Sequence, residues 1–110
     1  MRPIPRALLI HSATLAQAAT DANGAETLTP LAELRRVRVE PGDTQTLTKE
    51  DTRRGRAALL MYDVRNSLPR GVAFAAGQRV LFEGVRYRVE TVDLLYDGRR
   101  LHHVEAGLRE

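Results

Sequence analysis

"VRYRVETVDLLYDGRRLHHVEAGL", residues 85–108, decides how this chain folds. Two runs rich in β-branched, aromatic and aliphatic residues flank Asp97-Gly98. That pair favours a tight hairpin, because a two-residue type I′ loop needs positive φ at both central positions. With Asp97-Gly98 as the loop, Tyr96 faces Arg99, Leu94 faces Leu101, Asp93 faces His102 and Val89 faces Ala106. Successive strand residues point to opposite faces. This register therefore gives His102 a carboxylate neighbour in Asp93 and turns His103 the other way. It also sets Glu90 opposite Glu105, a like-charge pair that needs a bulge, an arginine such as Arg88, or a neighbouring subunit to relieve it. Asp93, Asp97, Gly98 and His102 are read as structural hairpin residues. Two histidines on opposite faces of one strand do not converge on a metal ion.

Working outward, "QRVLFEG" (78–84) alternates and ends in Glu83-Gly84, a second turn signal. "AALLMYDVRNSLP" (57–69) is nearly continuously apolar from Ala57 to Tyr62, as a strand buried on both faces is, and then breaks at Asn66, Ser67 and Pro69. "ELRRVRVEP" (33–41) alternates Val37 and Val39 against Arg36, Arg38 and Glu40, a half-exposed strand, although Thr29-Pro30 just before it also suits a helix start. "ALLIHSATL" (7–15) reads as the first strand, with a turn at Asn23-Gly24 after it. The pattern predicts one all-β domain over 1–110: a small antiparallel barrel, or a sandwich, of five to six strands. Leu60, Val80, Phe82, Tyr87 and Val89 are its expected core. Between the second and third strands lies "GDTQTLTKEDTRRGR" (42–56), with Leu47 its one large apolar residue. Its length and polarity predict a long mobile loop, since it offers little apolar surface to offset the entropy of ordering.

Composition narrows the function classes. The chain has 110 residues, enough for one modest core, and no cysteine, which excludes disulfides and thiol chemistry. No apolar run reaches membrane-spanning length, and the apolar stretch at Ala7–Ile10 is too short for a signal peptide. The formal net charge is +3, and Lys49 is the only lysine among 17 basic residues. That arginine skew, with abundant alanine, reflects coding composition more than a built phosphate-binding surface. Arg35, Arg36 and Arg38 cluster, as do Arg53, Arg54 and Arg56, but Asp43, Glu50 and Asp51 dilute the second group.

There is no glycine-rich phosphate loop, paired-histidine helix motif or nucleophile elbow, so no catalytic residue, metal or cofactor is expected. Asp63 and Asp93 stand alone in strands. The five aromatics, Tyr62, Phe74, Phe82, Tyr87 and Tyr96, sit among aliphatics instead of forming the exposed basic-aromatic platform of a nucleic-acid-binding barrel. A part that works by contact fits this inventory better than a catalyst does.

"RPIPRALLIHSATL", "YDVRNSLP", "FEGVRYRVE" and "LYDGRRLHHVE", in that order and spacing, resemble the small minor capsid proteins of tailed bacteriophages across nearly the whole chain. In size and strand order the sequence is similar to siphophage head-closure, or stopper, proteins. The resemblance implies a virion protein, assembled in the host cytoplasm, that forms a ring with copies of itself at the head–tail neck. It would contact adaptor or portal proteins on one side and tail proteins on the other. In that family the loop between the second and third strands projects into the channel and helps hold packaged double-stranded DNA. The matching positions here are 42–56, with Thr44, Lys49, Arg53, Arg54 and Arg56 as channel- or DNA-facing residues. Other roles open to the fold are a tail terminator, a head-decoration protein or a small nucleic-acid-binding barrel. A metal-dependent enzyme using His11, His102 and His103 ranks last.

Overall fold

The computed structural model describes residues 2–42 and 56–110. Six strands are present among them: β1 (His11–Thr20), β2 (Glu26–Pro41), β3 (Ala57–Asp63), β4 (Arg79–Phe82), β5 (Val85–Asp97) and β6 (Arg100–Arg109). They pair antiparallel throughout and close in the order β1-β2-β3-β6-β5-β4. A single 3-10 turn, Arg6–Leu8, precedes β1. The all-β antiparallel barrel expected from the alternation is the observed fold. Thr29 and Pro30 lie inside β2, so the helix alternative is excluded. The first strand begins at His11, not Ala7, because Arg6–Leu8 curl into the 3-10 turn.

Alternation explains the core. Leu34, Val37, Leu60, Val80, Val89 and Ala106 are fully inaccessible, and Tyr62, Phe82 and Tyr87 are nearly so. All five residues expected in the core are in it. β3 is covered on both faces, as its continuous apolar run requires. Glu83 and Gly84 both carry positive φ, 50° and 79°, the signature of a type I′ turn joining Phe82 to Val85.

The second hairpin departs from expectation by one residue. Asp97 pairs with Arg100, so the loop is Gly98-Arg99, with Gly98 at φ 62°. Glycine at the first central position is what a type II′ turn requires, and this offset displaces Asp97 from the loop into the strand. A bulge then leaves His102 without a cross-strand partner: Leu95 pairs with His103, and Tyr96 with Leu101. The expected Asp93–His102 pair is therefore wrong, and Asp93 faces Glu105 instead. The shifted turn and this bulge also separate Glu90 from Glu105, leaving Asp93 as the carboxylate opposite Glu105, and a second bulge at Glu90 sets Val89 against Leu108.

Candidate functional site

The mouth of the long polar segment is fixed by strand pairing. Pro41 lies opposite Ala58, and the Gly42 N–H donates to the Ala57 carbonyl, with Gly42 at φ 85° turning the chain away. Arg56 is exposed. Its N–H donates to Glu110 Oε1 (3.2 Å) and its carbonyl accepts from the Glu110 N–H (2.7 Å). Of the residues expected to face a channel, Arg56 is therefore placed at the rim. Thr44, Lys49, Arg53 and Arg54 lie outside the described residues. Arg56 also pulls on Tyr87: burial pushes that phenol above its ordinary value, the Arg56 guanidinium works against the rise, and Glu110 and Glu83 add to it.

Beside the mouth, a groove of about 570 Å³ crosses the outer faces of β2, β3, β6 and β5, lined among others by Glu40, Glu90, Asp93 and Glu105. Three of these carboxylates have cationic or imidazole neighbours: Arg38 on Glu40 (2.6 Å), Arg109 near Glu90 (3.9 Å) and His103 on Glu105 (3.0 Å). Among the described residues Asp93 has none. Around the barrel, Arg79, Arg88 and Arg109 fall side by side across β4, β5 and β6. Glu26 reaches back to this row, to Arg79 at 2.9 Å and Arg86 at 3.5 Å.

The histidines make contacts that the sequence concealed. The bulge puts the consecutive rings of His102 and His103 in contact, edge to face with centroids 4.9 Å apart and Nδ1 atoms 2.7 Å apart, so they do not point to opposite faces. His102 Nε2 contacts the Arg2 carbonyl, and His103 Nε2 contacts Glu105. His11 is separate: its Nδ1 accepts from the Val39 N–H (3.0 Å) and its ring packs edge-on against Phe82. Among the described residues no cluster of three histidine, aspartate or glutamate side chains is arranged to hold a metal.

"YDVRNSLP" proves to be an anchor that sequence reasoning missed. Asp63, fully buried, accepts from the N–H groups of Arg65 and Asn66 at one oxygen and from Ile4 at the other, all at 2.8–2.9 Å. Asn66 Nδ2 donates back to the Ile4 carbonyl (2.8 Å), pinning the N-terminal strap to the barrel. Ser67 Oγ accepts from the Asp63 N–H and donates to the carbonyl of Arg36, and the Tyr62 hydroxyl donates to the Pro69 carbonyl. Asp followed by Asn and Ser at three and four residues is the available sign of such a side-chain-capped turn.

Compared with known families and curated proteins, the chain matches no family model and no curated sequence.

Among the stretches of strand edge without a partner among the described residues, two carry large exposed apolar side chains. β5 loses β4 after Val89, leaving Glu90–Asp97 paired only to β6. β2 pairs with β3 only from Val37 onward, leaving the far edge of Glu26–Leu34 open, with a single bridge from Arg35 to Leu68. Leu94 (53% exposed), Leu95 and Tyr96 (56%) lie on the first edge, and Leu31 (51%) on the second.

Proposed function

We propose that this chain is a structural virion protein of a tailed phage: a head-closure component of the neck, joining the portal-adaptor complex to the tail and helping to retain packaged DNA. The observation that carries the reading is the mouth at Gly42 and Arg56. Strands β2 and β3 hold these ends as neighbours, so the polar, arginine-bearing segment between them leaves and re-enters a closed barrel at one place. If the resemblance to stopper proteins holds, that segment would face the channel. The unpartnered edges of β2 and β5 support assembly, since exposed strand edges bearing large apolar side chains invite pairing with another chain. In a ring, Arg53, Arg54 and Arg56 of each copy would meet DNA phosphates without reading sequence, an interaction that weakens steeply with salt.

A second reading, a nucleic-acid-binding barrel, is favoured by the Arg79–Arg88–Arg109 row, because like charges side by side on a sheet destabilise it unless something anionic covers them. Glu26 and Glu90 already offset part of that charge.

The test is a phage lacking this gene. On the neck reading its heads fill with DNA but leak it, and tails do not join. Heads that keep their DNA and join tails normally without the protein would discard the assignment. Replacing Thr44–Arg54 with a short Gly-Ser linker isolates the segment's part: the expected particles carry the protein but lose DNA or tails. A short duplex bound tightly by the isolated monomer, with steep salt dependence, would favour the second reading instead.

A further inference from the structure

We propose that copies of this chain join head to tail, the outer half of β5 of one copy seating against the open edge of β2 of the next. The proposal deepens the ring reading above and rests on it. Around the six-strand cycle β2 and β5 stand opposite one another, three steps apart in either direction. A contact between opposite sides of a subunit repeats from copy to copy and closes into a ring when the rotation allows.

Charge selects this pairing over the symmetric ones. The β5 edge carries Glu90, Asp93 and Asp97, with Glu105 across from Asp93. Two such edges brought together would oppose carboxylate to carboxylate. The β2 edge ends in Arg35 and Arg36, and the bridge from Arg35 to Leu68 brings Arg70 close in sequence to the same edge. The guanidinium groups of Arg35, Arg36 and Arg70 are exposed and hold no ion pair among the described residues. The carboxylates of the β2 edge are already engaged, Glu26 by Arg79 and Arg86 and Glu33 by the Thr14 hydroxyl. The basic side of β2 therefore faces outward unneutralised, and so does the acidic side of β5 at Asp93. Apolar groups supply the centre of the contact: Leu94, Leu95 and Tyr96 on one copy, Leu31 with half-buried Leu28 on the other. Pro30 lacks an N–H and interrupts any long continuous ladder there, so side chains carry the contact and unlimited strand addition is blunted. An apolar centre ringed by complementary charge is the ordinary anatomy of a specific interface.

Because the chain has no cysteine, introduced thiols report alone. The Leu94→Cys, Leu31→Cys double variant, concentrated and treated with a short bis-maleimide, should give a ladder running beyond dimer, while neither single variant does. Both positions are exposed, so circular dichroism and melting should match the parent. Asp93→Arg and Arg35→Glu should each weaken association about tenfold, and together restore it. The proposal is overturned by a folded double variant that gives no ladder, by dimers from Leu94→Cys alone, which mean symmetric β5 pairing, or by charge reversals that fail to rescue each other. These outcomes are separate from the phage test. Leaking heads without a ladder would keep the neck assignment and discard this interface, and a ladder with normal gene-deleted particles would do the reverse.

Discussion

From Val85 to Val89, β5 pairs with β4, with β6 joining its other side from Arg88, and it sends Tyr87 and Val89 into the core. From Glu90 to Asp97 it keeps only β6, and Leu94 and Tyr96 stand more than half exposed. Both halves have similar apolar content, although Leu94, Leu95 and Tyr96 run consecutively in the outer one. What separates them is the length of the neighbour: β4 spans four residues and β5 thirteen. Alternation tells which side chains share a face, and strand-length mismatch decides whether anything covers it. The covered half builds the barrel, and the uncovered half is the surface that the proposed interface uses.

The largest expected effect breaks or upholds that contrast directly. Phe82→Ala empties a site 8% exposed and packed edge-on against His11, and should cost about 3–5 kcal/mol. Leu94→Ala, on the outer half of β5, should stay within about 0.5 kcal/mol, as surface changes do. Urea unfolding of both variants checks the pair. Equal losses would mean that the outer half is covered in the free protein.

Next comes the anchor that holds the strap across the barrel. Asp63→Ala orphans the N–H groups of Ile4, Arg65 and Asn66 together. An unsatisfied buried donor costs about 1–3 kcal/mol, and water can reach some of these, so a loss of about 2–4 kcal/mol is expected. Limited proteolysis should then cut within residues 2–10 faster than in the parent, while the barrel itself resists. Unchanged cleavage would mean that the strap is held by other contacts, such as buried Leu9.

A smaller effect contrasts two arginines of β2. Arg36 occupies a bulge at φ 54°, a left-handed conformation that costs an L residue about 1–2 kcal/mol, held by the bond from Ser67. Arg38, two residues on, is regular strand and pairs with Glu40. Arg36→Gly should be neutral or stabilising by up to about 1 kcal/mol, whereas Arg38→Gly should lose about that much, because glycine in a regular strand gains nothing from positive φ. Thermal melts of the two variants moving in the same direction would remove the strain argument.

The barrel was legible because its signals are local: the alternation in β5 and β6, the Glu83-Gly84 turn and the doubly buried run of β3 each stand within a few residues. The errors share one cause. A bulge adds a single residue to one strand, and Glu90 and His102 are polar residues that also fit an unbroken strand, so no pattern of hydrophobicity marks where parity flips. Gly98 served either turn type, and only the partner strand selects between them. The anchor at Asp63 was invisible for another reason, since its partner Ile4 lies 59 residues away. The open edges follow from which strand ends short of its neighbour, a property of pairs of strands that no single segment carries.

The smallest expected effect probes the point where the covered half of β5 meets the mouth of the polar segment. Burial lifts the Tyr87 phenol above its ordinary value of about 10, against the pull of Arg56. As pH rises past that ordinary value, the unfolded chain releases this proton while the folded chain still holds it. The folded state then binds more protons, so the unfolding free energy falls with increasing pH until the folded value is passed, and below about pH 9 the group contributes nothing. Tyr87→Phe keeps the ring and removes the phenol, so its urea midpoint should decline less steeply than the parent's across this alkaline window. Arg56→Ala, which removes the opposing charge, should steepen the decline. Identical slopes for parent and Tyr87→Phe would mean that water reaches the phenol in the folded protein. The boundary between the covered and uncovered halves of β5 would then lie below Tyr87, not beyond Val89.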